Sequence, residues 1–224
     1  MLVVVCGLRR EAAILAGPGR ATVCGDAATL RARLAALDGP RPALVLSWGL
    51  CGGLDPALRP GDLLIGDTLV SEGERIAPDL AVASALAHRL AASATPARTA
   101  AFAAVDAPVL TAAAKAALRA ATGAAAADME SGLAARFARE RGAPFAILRA
   151  ISDPAERDLP GLVMKAVDAE GRVRPGAVAR ELLRAPGQLP ELLAAARDSR
   201  AAFAALDRGG RLPGLLLGLG LADL

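Results

Sequence analysis

The chain alternates short, unbroken apolar runs with longer stretches in which apolar residues recur every three or four positions. The runs are too short for helices and rich in valine, leucine and isoleucine, so they read as strands buried on both faces. They predict strands at residues 2–6, 21–24, 43–47, 62–70, 99–105 and 108–110, at Asp128, and at 143–153. Helices are predicted over 8–16, over 26–37 with Asp26 as the cap, and over 78–92, 111–121 and 130–141. Residues 38–42 form a loop, and the glycine-rich 49–53 reads as a turn after its strand. Repeated strand–helix units predict one α/β domain whose mostly parallel sheet is covered by helices on both faces. Beyond Pro160 the pattern turns helical, at 178–183 and 190–206. The second of these carries Leu192, Leu193, Ala196, Phe203 and Leu206 on one side.

Composition narrows the partners. Apolar residues make up 54% of the chain but aromatics only 2%, which leaves no stacking platform for single-stranded nucleic acid. The net charge of +3 is mild and contains no block of basic residues to track phosphates, so no nucleic-acid partner is expected. The positive excess gathers after Pro160, in arginines 172, 174, 180, 184, 197, 200, 208 and 211. Domain-like patterning runs through residues 1–208. The apolar, glycine-broken tail at 209–224 reads either as a strap on the core or as a greasy surface for lipid. No apolar run approaches the ~20 residues of a membrane span, and the sequence opens directly on a strand, with no signal segment ahead of it. The expectation is a cytoplasmic protein with peripheral contact to a membrane as an addition. Cys6, Cys24 and Cys51 lack metal-ligand spacing and read as reduced, buried thiols. His88, the sole histidine, sits mid-helix as a surface residue, so no metal site is expected.

Two strands end on acids. Residues 143–153 run apolar up to Arg149, Ser152 and Asp153, and the segment 124–132 carries Asp128, Met129 and Glu130. Open α/β folds hold their ligands at the carboxyl ends of strands, so the shared layout puts Asp153 and Glu130 on one pocket. Taken singly, each acid also suits a helix start, Asp153 with Pro154 as a cap and Glu130 in a first turn.

Val5-Cys-Gly-Leu-Arg-Arg-Glu11, Ser47-Trp-Gly-Leu-Cys-Gly-Gly-Leu54, Asp128-Met-Glu130 and Arg149-Ala-Ile-Ser-Asp153 stand in one order along the chain. Over about residues 1–155 this order resembles the purine nucleoside phosphorylase/nucleosidase superfamily, above all the methylthioadenosine/S-adenosylhomocysteine nucleosidases. Segments 149–160 and 184–190 resemble a narrower branch, the hopanoid-associated phosphorylases, which act on adenosylhopane to release adenine. The resemblance implies a three-layer α/β/α sandwich around a mixed, mostly parallel, partly barrel-like sheet. It also implies a homodimer, a small-molecule or lipid-linked nucleoside substrate, and no cofactor, with phosphate as a candidate co-substrate.

It implies roles as well. Asp153 is the general acid on the imidazole-side nitrogen of the leaving purine, oriented by Ser152. Glu130 accepts the ribose hydroxyls, Met129 packs on the sugar face, and Gly52 is a further substrate contact. Glu11 activates water with Arg149 as its partner, and the main chain at Val109 reads the adenine edge. A free aspartate is ionised at neutral pH, so Asp153 needs a source for its proton. Burial at the end of an apolar strand is the expected one.

The chain also departs from the pattern. Phosphorolytic members hold phosphate with an arginine and a serine of the glycine-rich turn, where this chain has Ser47 and Leu50, and Leu50 has no side-chain donor. Gly7, Arg9, Arg10 and Ser47 remain as candidate phosphate ligands. Glu11 without a full phosphate set favours water as the nucleophile. Pro108 replaces an aromatic often stacked on the base, which points away from an ordinary soluble nucleoside. Three functions stay open: cleavage of adenosylhopane, a soluble nucleosidase or phosphorylase, and a nucleoside-binding or membrane-scaffold protein without catalysis. Glu11, Glu130 and Asp153 together argue against the last, because a binder needs no general acid.

Overall fold

The computed structural model describes residues 1–93, 95–161 and 166–210. Eight strands form one mixed sheet: β1 (Leu2–Cys6), β2 (Arg20–Cys24), β3 (Leu44–Gly53), β4 (Leu63–Ser71), β5 (Glu74–Ile76), β6 (Ala97–Ala104), β7 (Ala126–Asp128) and β8 (Phe145–Asp153). The helices are α1 (Arg9–Leu15), α2 (Ala27–Ala35), α3 (Leu80–Ala92), α4 (Ala112–Thr122), α5 (Ser131–Glu140), α6 (Pro175–Arg184) and α7 (Leu189–Gly210).

One face of the sheet packs on α1, α3 and α7 through Leu15, Leu86, Leu90, Phe203 and Leu206. The other packs on α2 and α5 through Leu30, Leu34, Ala134 and Phe137. Along β1 the side chains alternate between these cores, Val4 and Cys6 to the first, Val3 and Val5 to the second. That two-sided burial is why the run Leu2–Cys6 is apolar throughout. The result is a three-layer α/β/α sandwich.

The centre of the sheet closes on itself. The first part of β3 pairs with β1 in parallel, and its last two residues, Gly52 and Gly53, pair with β7 antiparallel. β8 runs parallel to β3 from Val45 to Gly52, on the edge opposite β1, and antiparallel to β4. β4 is parallel to β6, and β6 to β7. Strands β3, β8, β4, β6 and β7 therefore form a closed ring, with β1 and β2 extending from it and β5 hairpinned onto β4. That hairpin turns at Glu72 and Gly73, both at positive φ (52° and 82°), as a two-residue turn between twisted strands requires.

Two local expectations change. Residues 49–53 are strand rather than turn: β3 continues through Gly49, and after Cys51 its register with β8 shifts because β8 carries one extra residue, Ser152. The bulge sits on the cavity rim and separates Ser152 from the ladder just before Asp153. Residues 108–110 are loop rather than strand, since Pro108 has no N–H to give a ladder. Cys6, Cys24 and Cys51 are free and buried, and His88 is exposed. Among the described residues no helix is long and apolar enough to cross a membrane. The apolar tail lies, from residue 211 on, outside the described residues.

Candidate active site

The ends of β1, β3, β7 and β8 open on one cavity of about 420 Å3. Glu11, Glu130 and Asp153 all line it, as do Gly7, Gly52, Val109, Met129 and Ser152. Three glycines make room for the three acids. A Cβ on Gly7 would sit 2.6 Å from Glu130 Oε1, one on Gly49 2.6 Å from the Glu11 carboxyl carbon, and one on Gly52 3.3 Å from Asp153 Oδ2. The glycines that looked like turn chemistry thus serve close packing against carboxylates.

Arg149 lies wholly buried behind this wall and organises it. Its Nη1 meets Glu130 Oε2 at 2.9 Å and the Leu50 carbonyl at 2.7 Å, while Nε lies 3.4 Å from Asp128 Oδ2. Nε and Nη2 also reach Ser47 Oγ, at 3.2 and 2.8 Å. The hydroxyl protons follow from this arrangement. Ser131 Oγ donates to Asp128 Oδ2 (2.7 Å), so Ser47 Oγ, 2.8 Å away, donates to Ser131 while accepting from the guanidinium. Asp128 further accepts the Glu130 and Ser131 amides at 2.9 and 2.6 Å, which fixes the start of α5 and with it the Glu130 side chain. Burial alone would lower the Arg149 pKa, but the carboxylates of Asp128, Glu130 and Glu11 outweigh it and the net shift is upward.

Glu11 projects from the first turn of α1. Its Oε2 accepts the Leu8 amide at 2.7 Å and its Oε1 the Leu50 amide at 2.8 Å. Burial and then the neighbouring Glu130 charge push its pKa up to about 7, against the opposing pull of Arg149. Glu130 is likewise raised, first by burial, with Arg149 pulling it down and Asp128 pushing it up.

Asp153 has a partner that the sequence reading missed. Lys115, buried on α4, places Nζ 2.6 Å from Asp153 Oδ2 and also donates to the carbonyls of Pro154 (2.8 Å) and Arg157 (3.0 Å). Burial is therefore not the sole influence on this acid, because a cation sits against it. On the other side, Ser152 Oγ lies 2.8 Å from Asp153 Oδ1 and 3.2 Å from the Cys51 carbonyl.

The candidate phosphate ligands do not converge. Ser47 is committed to Arg149 and Ser131 outside the cavity. Arg9 is exposed and ties its Nε to the Glu170 carbonyl (3.3 Å), and Arg10 stacks on Phe203 with its guanidinium carbon 4.0 Å from the ring centre. Of the four, Gly7 alone lines the cavity. Among the described residues no group of histidine, cysteine and carboxylate side chains could hold a metal ion.

The sequence matches the Phosphorylase superfamily over residues 3–184. The chain belongs to that superfamily. No curated protein matches it in sequence. Solved structures share the fold. An S-adenosylhomocysteine nucleosidase from Streptococcus pyogenes is 15% identical, with a TM-score of 0.63 over 95% of this chain and 97% of its own. A 5′-methylthioadenosine/S-adenosylhomocysteine nucleosidase from Helicobacter pylori is 15% identical, with a TM-score of 0.61 over 93% and 96%. Futalosine hydrolase of Helicobacter pylori is 17% identical, with a TM-score of 0.58 over 68% and 87%. At these identities the likeness is one of fold, and the function of this superfamily member has to be argued from its own cavity.

Proposed function

We propose that the protein cleaves the N-glycosidic bond of an adenine nucleoside with water as the nucleophile, and that this nucleoside is adenosylhopane. The observation that carries the reading is the convergence of Asp153, Glu130 and Glu11 on one cavity, each seated against its own glycine. In this reading Asp153 gives a proton to the leaving base, because an adenine anion leaves poorly. Glu130, held by Arg149, accepts the ribose hydroxyls and favours the positive charge that builds on the sugar as the bond lengthens. Glu11 takes a proton from water.

Support for water over phosphate lies in the amides of Leu8 and Leu50. Two converging N–H groups beside a buried arginine suit an anion, and the Glu11 carboxylate already occupies them. Phosphate in the same place would meet that carboxylate. A base with a pKa of about 7 is also matched to neutral pH. Since Glu11 must be ionised to act, kcat/KM should fall as pH drops through about 7. Glu130→Gln removes a charge that raises Glu11, so the fall should move to lower pH in that variant. An acid limb at the ordinary carboxylate value in the wild type would exclude Glu11 as the base.

The lipid-linked substrate is supported by the resemblance at 149–160 and by the cavity wall. Leu8, Leu50, Leu54, Pro108, Val109 and Leu159 are apolar, and among the described residues no aromatic joins them. About 420 Å3 suits a nucleoside, so a polycycle has to continue past the mouth onto apolar surface. Leu183, Leu189 and Leu193 are exposed around the α6–α7 junction, close in sequence to the exposed Arg180 and Arg197. Basic residues at an anionic surface contribute about 1 kcal/mol each, which supports weak, salt-sensitive membrane contact.

The test is to incubate the protein with adenosylhopane in detergent and in anionic vesicles, with and without phosphate, in 18O-labelled water. Adenine release with labelled ribosylhopane is the expected result. A phosphoribosyl product would overturn water as the nucleophile. Cleavage of methylthioadenosine with adenosylhopane untouched would establish the soluble nucleosidase reading instead.

A further inference from the structure

We propose that Lys115 and Asp153 work as one acid, in which the proton that ends on the leaving base rests on the Lys115 ammonium while the site is empty. This rests on the reading above that Asp153 protonates the base. Lys115 acts through Asp153: it positions the carboxylate and holds its proton.

The geometry puts the proton on one short contact. An ammonium has three N–H donors and no acceptor, and the structure supplies three oxygens, Asp153 Oδ2 (2.6 Å), Pro154 O (2.8 Å) and Arg157 O (3.0 Å). An amine facing the protonated acid would satisfy the same three contacts, with the Asp153 O–H donating to its lone pair, so the two forms differ only in which side of the 2.6 Å contact holds the proton. An amine is by far the stronger base of the two, so the ammonium holds it and Asp153 faces it as the carboxylate. A carboxylate has no proton to give, and the nearest one is on Lys115.

Ser152 completes the device. Its single hydroxyl proton has two acceptors in reach, Asp153 Oδ1 and the Cys51 carbonyl. Turned to Cys51, it releases Oδ1, so that the carboxyl group is free to turn about its Cβ–Cγ bond. A Nζ–H bond breaks as an Oδ2–H bond forms, the carboxyl group turns to bring Oδ2 to the base, and the Oδ2–H bond breaks as the base nitrogen takes the proton. The electron pair of the glycosidic bond goes to the base. Lys115 is left as the amine and recovers a proton from solvent, to which Glu11 returns the one taken from water.

The composition of the chain carries an independent sign. Of its 26 basic residues only two, Lys115 and Lys165, are lysine. A guanidinium would suit an ion pair but does not give up a proton near neutral pH. Among the described residues, three other charged groups beside the pair have partners of their own. Arg119, one turn along α4, pairs with Asp55 at 2.9 Å, Arg157 pairs with Asp198, and Asp158 caps the Ala112 amide at 2.7 Å. β3 presents the Cys51 thiol, and elsewhere on the cavity wall stand Glu11, and Glu130 and Asp128 with Arg149 behind them.

The experiment compares Lys115→Met, Lys115→Arg and Asp153→Asn on adenosylhopane in detergent and on 4-nitrophenyl riboside, whose leaving group departs without a proton. Lys115→Met should slow adenine release on the order of 10²-fold, shift the basic limb of kcat/KM to lower pH, and lose far less on the nitrophenyl riboside. Lys115→Arg should not restore adenine release. Restoration by arginine with the wild-type pH profile would overturn the proposal, as would an unchanged Lys115→Met. Equal loss on both substrates would overturn it too, by showing that Lys115 only shapes the site. Should Asp153→Asn leave adenine release intact, it is the role of Asp153 itself that fails.

Discussion

Asp153→Asn is expected to cut adenine release on the order of 10²-fold or more while the protein still folds. The amide has the shape of the acid and can keep its neighbours satisfied. With its oxygen on Lys115, its nitrogen faces Ser152 Oγ, and the serine proton turns to the Cys51 carbonyl, already 3.2 Å away. What the amide cannot do is pass a proton to the base. Lys115 loses its counter-charge but keeps three oxygen acceptors, so some stability is lost without collapse of the site. Adenine release, the thermal midpoint and binding of a non-cleavable nucleoside check this together. Turnover near wild type would remove Asp153 from the mechanism, and loss of nucleoside binding would show that the variant disturbs the cavity rather than the chemistry.

The strands and their order of appearance were legible because a strand buried on both faces has to be apolar throughout, as in Leu2–Cys6 and Phe145–Asp153. Glycine misled at 49–53. Turn chemistry and close approach both select it, and only the fold shows that Gly49 makes room for Glu11 and Gly52 for Asp153. The ring closure of β3 through β7 rests on the pairing of Gly52 and Gly53 with Ala127 and Ala126, which leaves no periodic mark. Among side chains, the strand-end acids Glu130 and Asp153 could be read from position alone. Arg9 and Arg10 could not be placed, since a helix start fixes neither which face an arginine takes nor that Phe203 would hold one of them. Lys115 was the largest omission. Within Ala-Ala-Ala-Lys-Ala-Ala-Leu-Arg it has the look of a solvated helix lysine, and its burial comes from the segment after β8 folding over α4. Its one signal was being one of two lysines in a chain whose other basic residues are all arginine.

Arg149→Met should be the most destabilising single change in the site, at about 3–5 kcal/mol, the usual cost of removing one partner from a buried ion pair. Methionine fills much of the space with a flexible apolar chain, so the loss is electrostatic more than steric. Asp128 keeps two amides and the Ser131 hydroxyl. Glu130 loses its 2.9 Å partner and faces Asp128 and Glu11 without compensation. The effect has a sign in pH. Burial already raises Glu130 and Glu11, and Arg149 is what pulls both back. Without it both rise further, and a carboxyl with a raised folded value is at its most stabilising when protonated, losing that contribution as pH climbs through the folded value. The stability deficit of the variant should therefore be small near pH 5 and widen towards pH 8, as read by urea unfolding at each pH. A deficit of the same size at both would mean that Arg149 serves through packing, and that the carboxylates around it are stabilised by their backbone and hydroxyl donors alone.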